Sequence, residues 1–306
     1  MKICKLGIVL LALLLAAMAM VPMVSAQNTD LYKSEKTEIQ LLDNPIGNEI
    51  SNSLGNESKQ IDFENLRNVI QKKYDPQLNT IIEKLNSITN QKISDSQKNE
   101  LKTVIVSEKI NRIAREKYME IHGLSIKNMK SVNVTPSETQ PVPSNSLQTI
   151  NSALPQPLTL VQVTADITGG TGRDGANTPY TVNGGNQFYR ISYNYYPGAY
   201  TFYVLQYRDE DMPDPSLDYA YDQYRLSVYG TIEDTQSFVI YPDGRIDFSI
   251  NSIWDNGHSY ATAIGQHGNI IRPWNTGTSI YISNVWNHAM DIYDRNSNMA
   301  KTTYHP

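Results

Sequence analysis

Ser237-Phe238-Val239-Ile240-Tyr241-Pro242-Asp243-Gly244-Arg245-Ile246-Asp247-Phe248-Ser249-Ile250 sets the fold class of the C-terminal half. Pro242 presets a turn and Gly244 accepts a positive φ without steric cost. The turn joins Ser237–Tyr241 to Arg245–Ile250 as a β-hairpin. Outward from it, Tyr, Thr, Ile and Val recur at period two between Gly, Asn and Pro. Strands are expected near Leu158–Thr168, Gln187–Tyr195, Ala199–Arg208, Gln223–Tyr229, Gln236–Tyr241, Arg245–Ile253, Ser259–Gln266 and Ser279–Trp286. Short strands at this density predict an all-β antiparallel sandwich or barrel. The absence of a repeat argues against a propeller or solenoid.

The chain before this region obeys a different period. Phe63, Leu66 and Ile70 fall at helical spacing, as do Leu78, Ile81, Ile82 and Leu85. Leu101, Val104, Ile105, Ile113, Ala114, Tyr118 and Ile121 continue the pattern. Asp75-Pro76 reads as a cap followed by Pro at the first helical position. Ser94, Asp95 and Ser96 can cap a third run, and Gly123 is a helix stop. The expectation is α+β in separate modules: an N-terminal helical hairpin or small bundle over 61–124, then a Tyr-rich β domain over 158–306. Between them 125–157 carries Pro136, Pro141, Pro143, Pro155 and Pro157 and reads as a stiff linker. Residues 27–60 are polar, broken by Asn-Pro and Leu-Gly, and are expected to be poorly ordered.

Composition bounds the function classes. The 306 residues carry a net charge of −5, which disfavours binding nucleic acid through a general basic surface. The segment from Leu158 onward holds 15 acidic against 8 basic residues, so it carries most of the negative charge. The one cysteine, Cys4, excludes a disulfide scaffold, a Cys-based metal site and a Cys nucleophile from any chain processed beyond it. Lys2 and Lys5 precede an apolar run from Leu6 to Val21, and Val24-Ser25-Ala26 offers small residues to a signal peptidase. Residues 1–26 are read as a signal peptide cleaved before Gln27, with a retained anchor as the alternative. No later apolar run approaches the length of a membrane span. The protein is therefore expected to be secreted or at the cell surface. Asn56-Glu57-Ser58 and Asn133-Val134-Thr135 are sequons that matter only in a glycosylating host.

Four groups of residues could carry chemistry. Asp209, Asp211, Asp214, Asp218 and Asp222 crowd one acidic segment, and Ca²⁺ needs six to eight oxygens of this kind. The spacing is not that of an EF-hand, and a solvated acidic loop is the plainer reading. Gly169 to Ala176 fits one copy of a calcium-binding nonapeptide, but that architecture needs tandem copies. No Gly-Lys-Ser/Thr follows, so it is not a phosphate-binding loop. His258, His267 and His288, with Asp255, are candidates for a general base or a zinc site, although no His-Glu-x-x-His or Gly-x-Ser-x-Gly motif supports them. Carboxylates such as Glu233, Asp234 and Asp247 are on or near strands and keep a glycosidase pair open. Finally, the β region is dense in aromatic rings. Tyr193, Tyr195, Tyr203, Trp254, Trp274 and Trp286 are candidates for a ligand-binding platform, since rings stack on sugars and give rigid contact area to protein partners. The plainer reading is that Tyr is a good strand residue.

Tyr281-Ile282-Ser283-Asn284-Val285-Trp286-Asn287-His288-Ala289-Met290, taken with the N-terminal signal and the Asn/Tyr-rich β region, resembles exported proteins of methanogenic archaea. The resemblance covers mainly the last ~50 residues. It implies a cell-surface setting and supplies no catalytic residues. The residues together predict an exported binding protein whose β domain engages a glycan or a cell-envelope protein, with calcium as a candidate ordering ion. The alternatives are a secreted hydrolase with a helical propeptide and a structural envelope component.

Overall fold

The computed structural model describes residues 33–54, 63–121, 123–125, 129–133, 154–156, 158–166, 188–210, 212, 214–248, 271–282, 288, 290–294 and 299–306. The N-terminal half is helical: α1 over residues 33–54, α2 (Phe63–Lys73), α3 (Asp75–Thr89) and α4 (Asp95–Ile121). Helix α3 starts at Asp75-Pro76, but Tyr74 stands at the cap position without a side-chain bond and Asp75 is already the first helical residue, one place earlier than the sequence reading. At the start of α4, Ser94 Oγ accepts from the Gln97 N–H while Gln97 Oε1 accepts from the Ser94 N–H, a reciprocal capping box. Beyond the end of α4 stands Gly123 at φ +62, and the Leu124 N–H reaches back 2.7 Å to the Met119 carbonyl.

Helix α1 corrects the expectation that 27–60 is poorly ordered. Pro45 lies inside it and removes one backbone donor, at a cost of about 3 kcal/mol in a helix interior. Ile39, Ile46, Ile50 and Leu54 are nonetheless buried among the other helices. Each buried Ile or Leu contributes roughly 1.5–3 kcal/mol, so four of them outweigh the proline.

The C-terminal half is not all β. Its described strands are β1 (Lys130–Asn133), β2 (Thr159–Asp166), β3 (Phe188–Tyr196), β4 (Tyr200–Tyr207), β5 (Asp234–Tyr241), β6 (Arg245–Asp247), β7 (Ile271–Pro273), β8 (Ser279–Ile282), β9 (Met290–Asp291) and β10 (Met299–Tyr304). Strand β1 falls inside the segment read as a linker and pairs with β3. Helix α5 (Pro215–Tyr229) stands where a strand was expected over Gln223–Tyr229. Leu217, Ala220, Tyr221, Tyr224 and Val228 repeat at three and four residues, a helical period that the aromatic content hides. Asp214 caps the helix by accepting from the Ser216 and Leu217 N–H groups, Pro215 opens it, and Gly230 at φ +77 ends it.

A six-stranded sheet runs β1-β3-β4-β5-β6-β7 and a four-stranded sheet runs β10-β2-β8-β9. Neither closes into a barrel. The first sheet is antiparallel throughout, whereas β2 and β8 of the second are parallel, correcting a purely antiparallel reading. The predicted hairpin is present as β5 and β6, with Gly244 at φ +81 and its N–H bonded to the Tyr241 carbonyl. Expected strand Ser259–Gln266 and the Gly169–Ala176 loop lie outside the described residues.

Alternation along the strands divides the first sheet into two faces. Ile191, Tyr193, Tyr203, Leu205, Tyr207, Phe238 and Ile240 meet Leu160, Ile280, Ile282, Met290 and Tyr304 of the second sheet in one core. Phe202, Val204 and Val239 point the other way, onto Met119 and Leu124 at the end of α4. Layer by layer, the molecule is helices, sheet, sheet.

The two halves are not separate modules. Leu217, Ala220, Tyr221 and Tyr224 of α5 belong to the same apolar core as α1 to α4. The Tyr224 hydroxyl donates to Asp43 Oδ1 of α1 at 2.7 Å, and Lys109 of α4 pairs with the same carboxylate. Gln97 Nε2 donates to Asp214 at 2.8 Å, and Arg115 donates to the Thr235 carbonyl. Among the described residues no helix is long and apolar enough to cross a membrane. A chain cut by an inserted protease site within 134–153 is therefore expected to stay together. Size-exclusion chromatography checks this, and elution of the two halves as separate folded monomers would contradict the shared core.

Candidate functional site

The sheet register builds a row of side chains at one end of the six-stranded sheet. Tyr196 of β3 stands opposite Tyr200 of β4. Thr201 stands opposite Ile240, which brings Tyr200 beside Tyr241 of β5 one step further along. Tyr241 is opposite Arg245 of β6, and Arg245 is opposite Pro273 of β7. The row crosses five strands, about 19 Å at ordinary strand spacing. The Tyr196 and Tyr200 rings are 4.7 Å apart and tilted by 40°, and Tyr200 meets Tyr241 edge-on at 6.1 Å. Both contacts lie in the favourable range for aromatic pairs. The Arg245 guanidinium stands 4.7 Å from the Tyr241 ring centroid, and its Nε donates to Asp243 Oδ2 at 2.7 Å.

The neighbouring row explains why this one stays accessible. Asn194, Phe202, Val239, Asp247 and Ile271 stand opposite one another across the same strands. Phe202 and Val239 are buried under the end of α4, but Ile271 is 47% exposed. One step towards the hairpin turns, Tyr196, Tyr200 and Tyr241 are only partly covered and Arg245 is exposed. Burial, then the neighbouring tyrosines, raises the Tyr200 hydroxyl above its ordinary range, and burial followed by Asp247 raises Tyr241. Both hydroxyls thus stay protonated and can donate hydrogen bonds at neutral pH.

The aromatic residues singled out in the sequence take other places. Tyr193, Tyr203 and Trp274 are buried in the inter-sheet core, with Tyr203 stacked on Phe238 at 5.0 Å. Alternation turns Tyr193 and Tyr203 towards the second sheet, and Trp274, just past β7, packs into the same core. Tyr195 shares their face but lies beyond that cover and is 57% exposed. Trp254 and Trp286 lie outside the described residues. The signal that would have found Tyr196, Tyr200 and Tyr241 is pairing register, which a single strand pattern does not carry.

At the other end of the same strands lies a buried charge centre. Asp209 and Glu210 follow β4, Asp218, Asp222 and Arg225 come from α5, Asp234 opens β5, and His288 belongs to the second sheet's connections; all are buried. His288 is 0% exposed, stands at φ +49, and stacks on Tyr207 with centroids 3.8 Å apart. A positive φ is uncommon for any residue with a Cβ. Its Nδ1 is 2.8 Å from Asp234 Oδ2, which places the proton of a neutral ring on Nδ1 and leaves Nε2 as the acceptor. Nε2 makes no hydrogen bond within the described chain. Burial favours protonation of Asp234, but the hydrogen bond and attraction of His288, with Arg225 and Gln236, outweigh it and hold this carboxyl well below the usual range. The other candidates of the histidine group, His258, His267 and Asp255, lie outside the described residues.

The acidic segment is not a free loop. Asp214 is the cap of α5, and the Asp218 carboxylate accepts from the Met212 N–H at 2.6 Å. Asp209 accepts from the Glu210 N–H at 2.8 Å and lies 3.5 Å from Arg225 Nη1. Burial first, then the charge of Asp209, pushes the Asp222 carboxyl up to about 9. Among the described residues no three His, Cys, Asp or Glu side chains stand where they could share a metal ion, and Asp211 lies outside them.

Because Asp234 is held ionised, its contribution to stability is present above the unfolded-state value near pH 4 and is lost as pH falls below it. Asp234→Asn is expected to cost about 3 kcal/mol at neutral pH, since it removes the buried carboxylate that His288 Nδ1 and Gln236 Nε2 are bonded to. Urea unfolding against pH checks this: the two proteins should converge in acid, and a constant gap down to about pH 2 would contradict the assignment. Comparison of the chain with protein-family models, with curated proteins and with solved structures finds no match.

Proposed function

We propose that this chain is an exported binding protein that engages a glycan at the cell exterior through the Tyr196–Tyr200–Tyr241–Arg245 row. The observation that carries the reading is the row itself: three partly open rings and an exposed guanidinium, set by register on one face. Rings of this kind take the C–H faces of a sugar, while Arg245 and Asp247 supply polar contacts to hydroxyls. The residues sit on strands, so their spacing is fixed before a ligand arrives, which lowers the entropy cost of binding. Export rests on the Lys2–Ala26 pattern.

The hydrolase reading draws on the His288–Asp234 pair, whose geometry suits a general base held in one tautomer. The imidazole is wholly buried, however, and no described group lies within hydrogen-bond reach of Nε2. A structural role for the pair accounts for its burial, and the accessible row is the reading followed here.

The test is calorimetric titration of the chain from Gln27 onward against a glycan panel. Tyr200→Ala should weaken binding of a positive glycan about tenfold or more, as loss of an aromatic anchor does, and Arg245→Ala should weaken it less. His288→Asn should leave affinity unchanged in protein that remains folded. Equal affinity in wild type and Tyr200→Ala would remove the row from the site.

A further inference from the structure

Two arginines of the six-stranded sheet meet a ring where the others meet a carboxylate. Arg112, Arg225, Arg245 and Arg272 each stand at ion-pair distance from an acidic side chain. Arg190 of β3 and Arg208, just past β4, converge on Tyr189 instead, with guanidinium carbons 5.3 Å and 4.8 Å from its ring centroid. Among the described residues neither of the two makes an ion pair or a side-chain hydrogen bond. Carboxylates are not scarce, since acidic residues outnumber basic ones 15 to 8 from Leu158 onward.

The backbone builds this meeting. Phe188 stands opposite Tyr207, but Arg190 stands opposite Gln206, so Tyr189 is an extra residue in β3. Phe188 and Tyr207 face the inter-sheet core. The bulge turns Tyr189 to the other side together with Arg190, and alternation along β4 puts Gln206 and Arg208 there too. The Tyr189 hydroxyl donates to Glu233 at 2.8 Å, which fixes the ring and engages that carboxylate at the hydroxyl tip, outside ion-pair distance of both arginines. Burial, then this bond, pushes the hydroxyl up to about 12, so the ring adds no charge at neutral pH. Arg208 is exposed, and Tyr189, Arg190 and Gln206 are only partly covered, so solvent reaches the cluster.

We propose that Arg190 and Arg208, carried on the Tyr189 ring, form a binding site for a dianionic oxyanion: a phosphate or sulfate group, free or borne by a sugar. A guanidinium that meets a ring through its face keeps its N–H edge for another group, and that planar fork matches the oxygens of phosphate or sulfate. Both guanidinium carbons lie near one centroid, so they are at most about 10 Å apart, and the exposed Arg208 can close on an anion held by Arg190. Two unpaired positive charges match two negative ones, and the Gln206 amide opposite Arg190 adds a neutral donor. The site is separate from the tyrosine row. Six residues of β3 lie between Arg190 and Tyr196, about 20 Å, and the end of α4 covers Phe202 and Val204 on the face between them.

The experiment is calorimetric titration of the chain from Gln27 onward with inorganic phosphate, sulfate, glucose 6-phosphate and acetate, at low ionic strength and about pH 8, where the phosphates are dianions. Saturable binding of the dianions is expected, with acetate at least about tenfold weaker because it offers one charge. Arg190→Gln and Arg208→Gln should each weaken phosphate binding about tenfold or more, as loss of a charge-assisted bond does. Lys72→Gln, which removes an exposed cation on α2, should leave it unchanged. Equal affinity for phosphate and glucose 6-phosphate would assign the site to the free ion, and tighter binding of the ester to a group borne by a sugar. No saturable binding of any dianion up to about 10 mM would overturn the proposal. So would acetate binding as tightly as phosphate, wild-type affinity in both arginine variants, or an equal loss in Lys72→Gln, which would reduce the effect to general surface charge.

Discussion

One face of α5 holds the molecule together. Leu217, Ala220, Tyr221 and Tyr224 project into the core of the four N-terminal helices, although α5 lies between two strands of the C-terminal sheet in sequence. Without that face the helical layer has an open wall of apolar side chains, and the six-stranded sheet loses one of its ties to the layer above, the other being its packing on the end of α4. The polar link sharpens the fit. Tyr224 and Lys109 converge on the buried Asp43, so three helices must hold their register for one carboxylate to be satisfied. Such a group contributes less to net stability than to specificity, since desolvating the charges offsets most of their attraction.

What could be read in the sequence follows from how local each cause is. The β5–β6 hairpin was legible because Pro242 and Gly244 fix it within five residues. Helices α2 to α4 were legible because their apolar period is clean, and Asp75-Pro76 and Ser94-Asp95 mark two of their starts. Helix α1 was not, because Pro45 is a strong local break that only distant burial overrides. Helix α5 was misread for the opposite reason: its Asp214-Pro215 start matches that of α3, but Tyr and Val suggested a strand. The aromatic content of β3 and β4 was visible, yet which rings stay open depends on where α4 ends on one face and where the second sheet ends on the other. His288 and Asp234 meet across 54 positions of chain, a distance over which one sequence offers no signal.

Strands β4 and β5 keep two different environments apart. Tyr200 opens β4 and Tyr241 closes β5, while Asp209 follows the far end of β4 and Asp234 opens β5. Seven residues of strand separate the two ends, about 23 Å. One end is partly open, aromatic and polar. The other is dry and crowded with charge. At that separation, without shared partners, changes at one end should add to changes at the other.

The position of α5 in the chain also sets a timetable. Pro215 follows Ile121 by more than ninety residues, so a ribosome must add β1, β3 and β4, half of the first sheet, before the helical core can be closed. At about 5–20 residues per second that interval is roughly 5–20 s. Throughout it, Ile81, Ile82, Leu85, Leu101 and Ile105 lack their final packing partner. A nascent chain in this condition is a natural client for a holding chaperone, and the four helices, though first to appear, wait for α5 before their core can close.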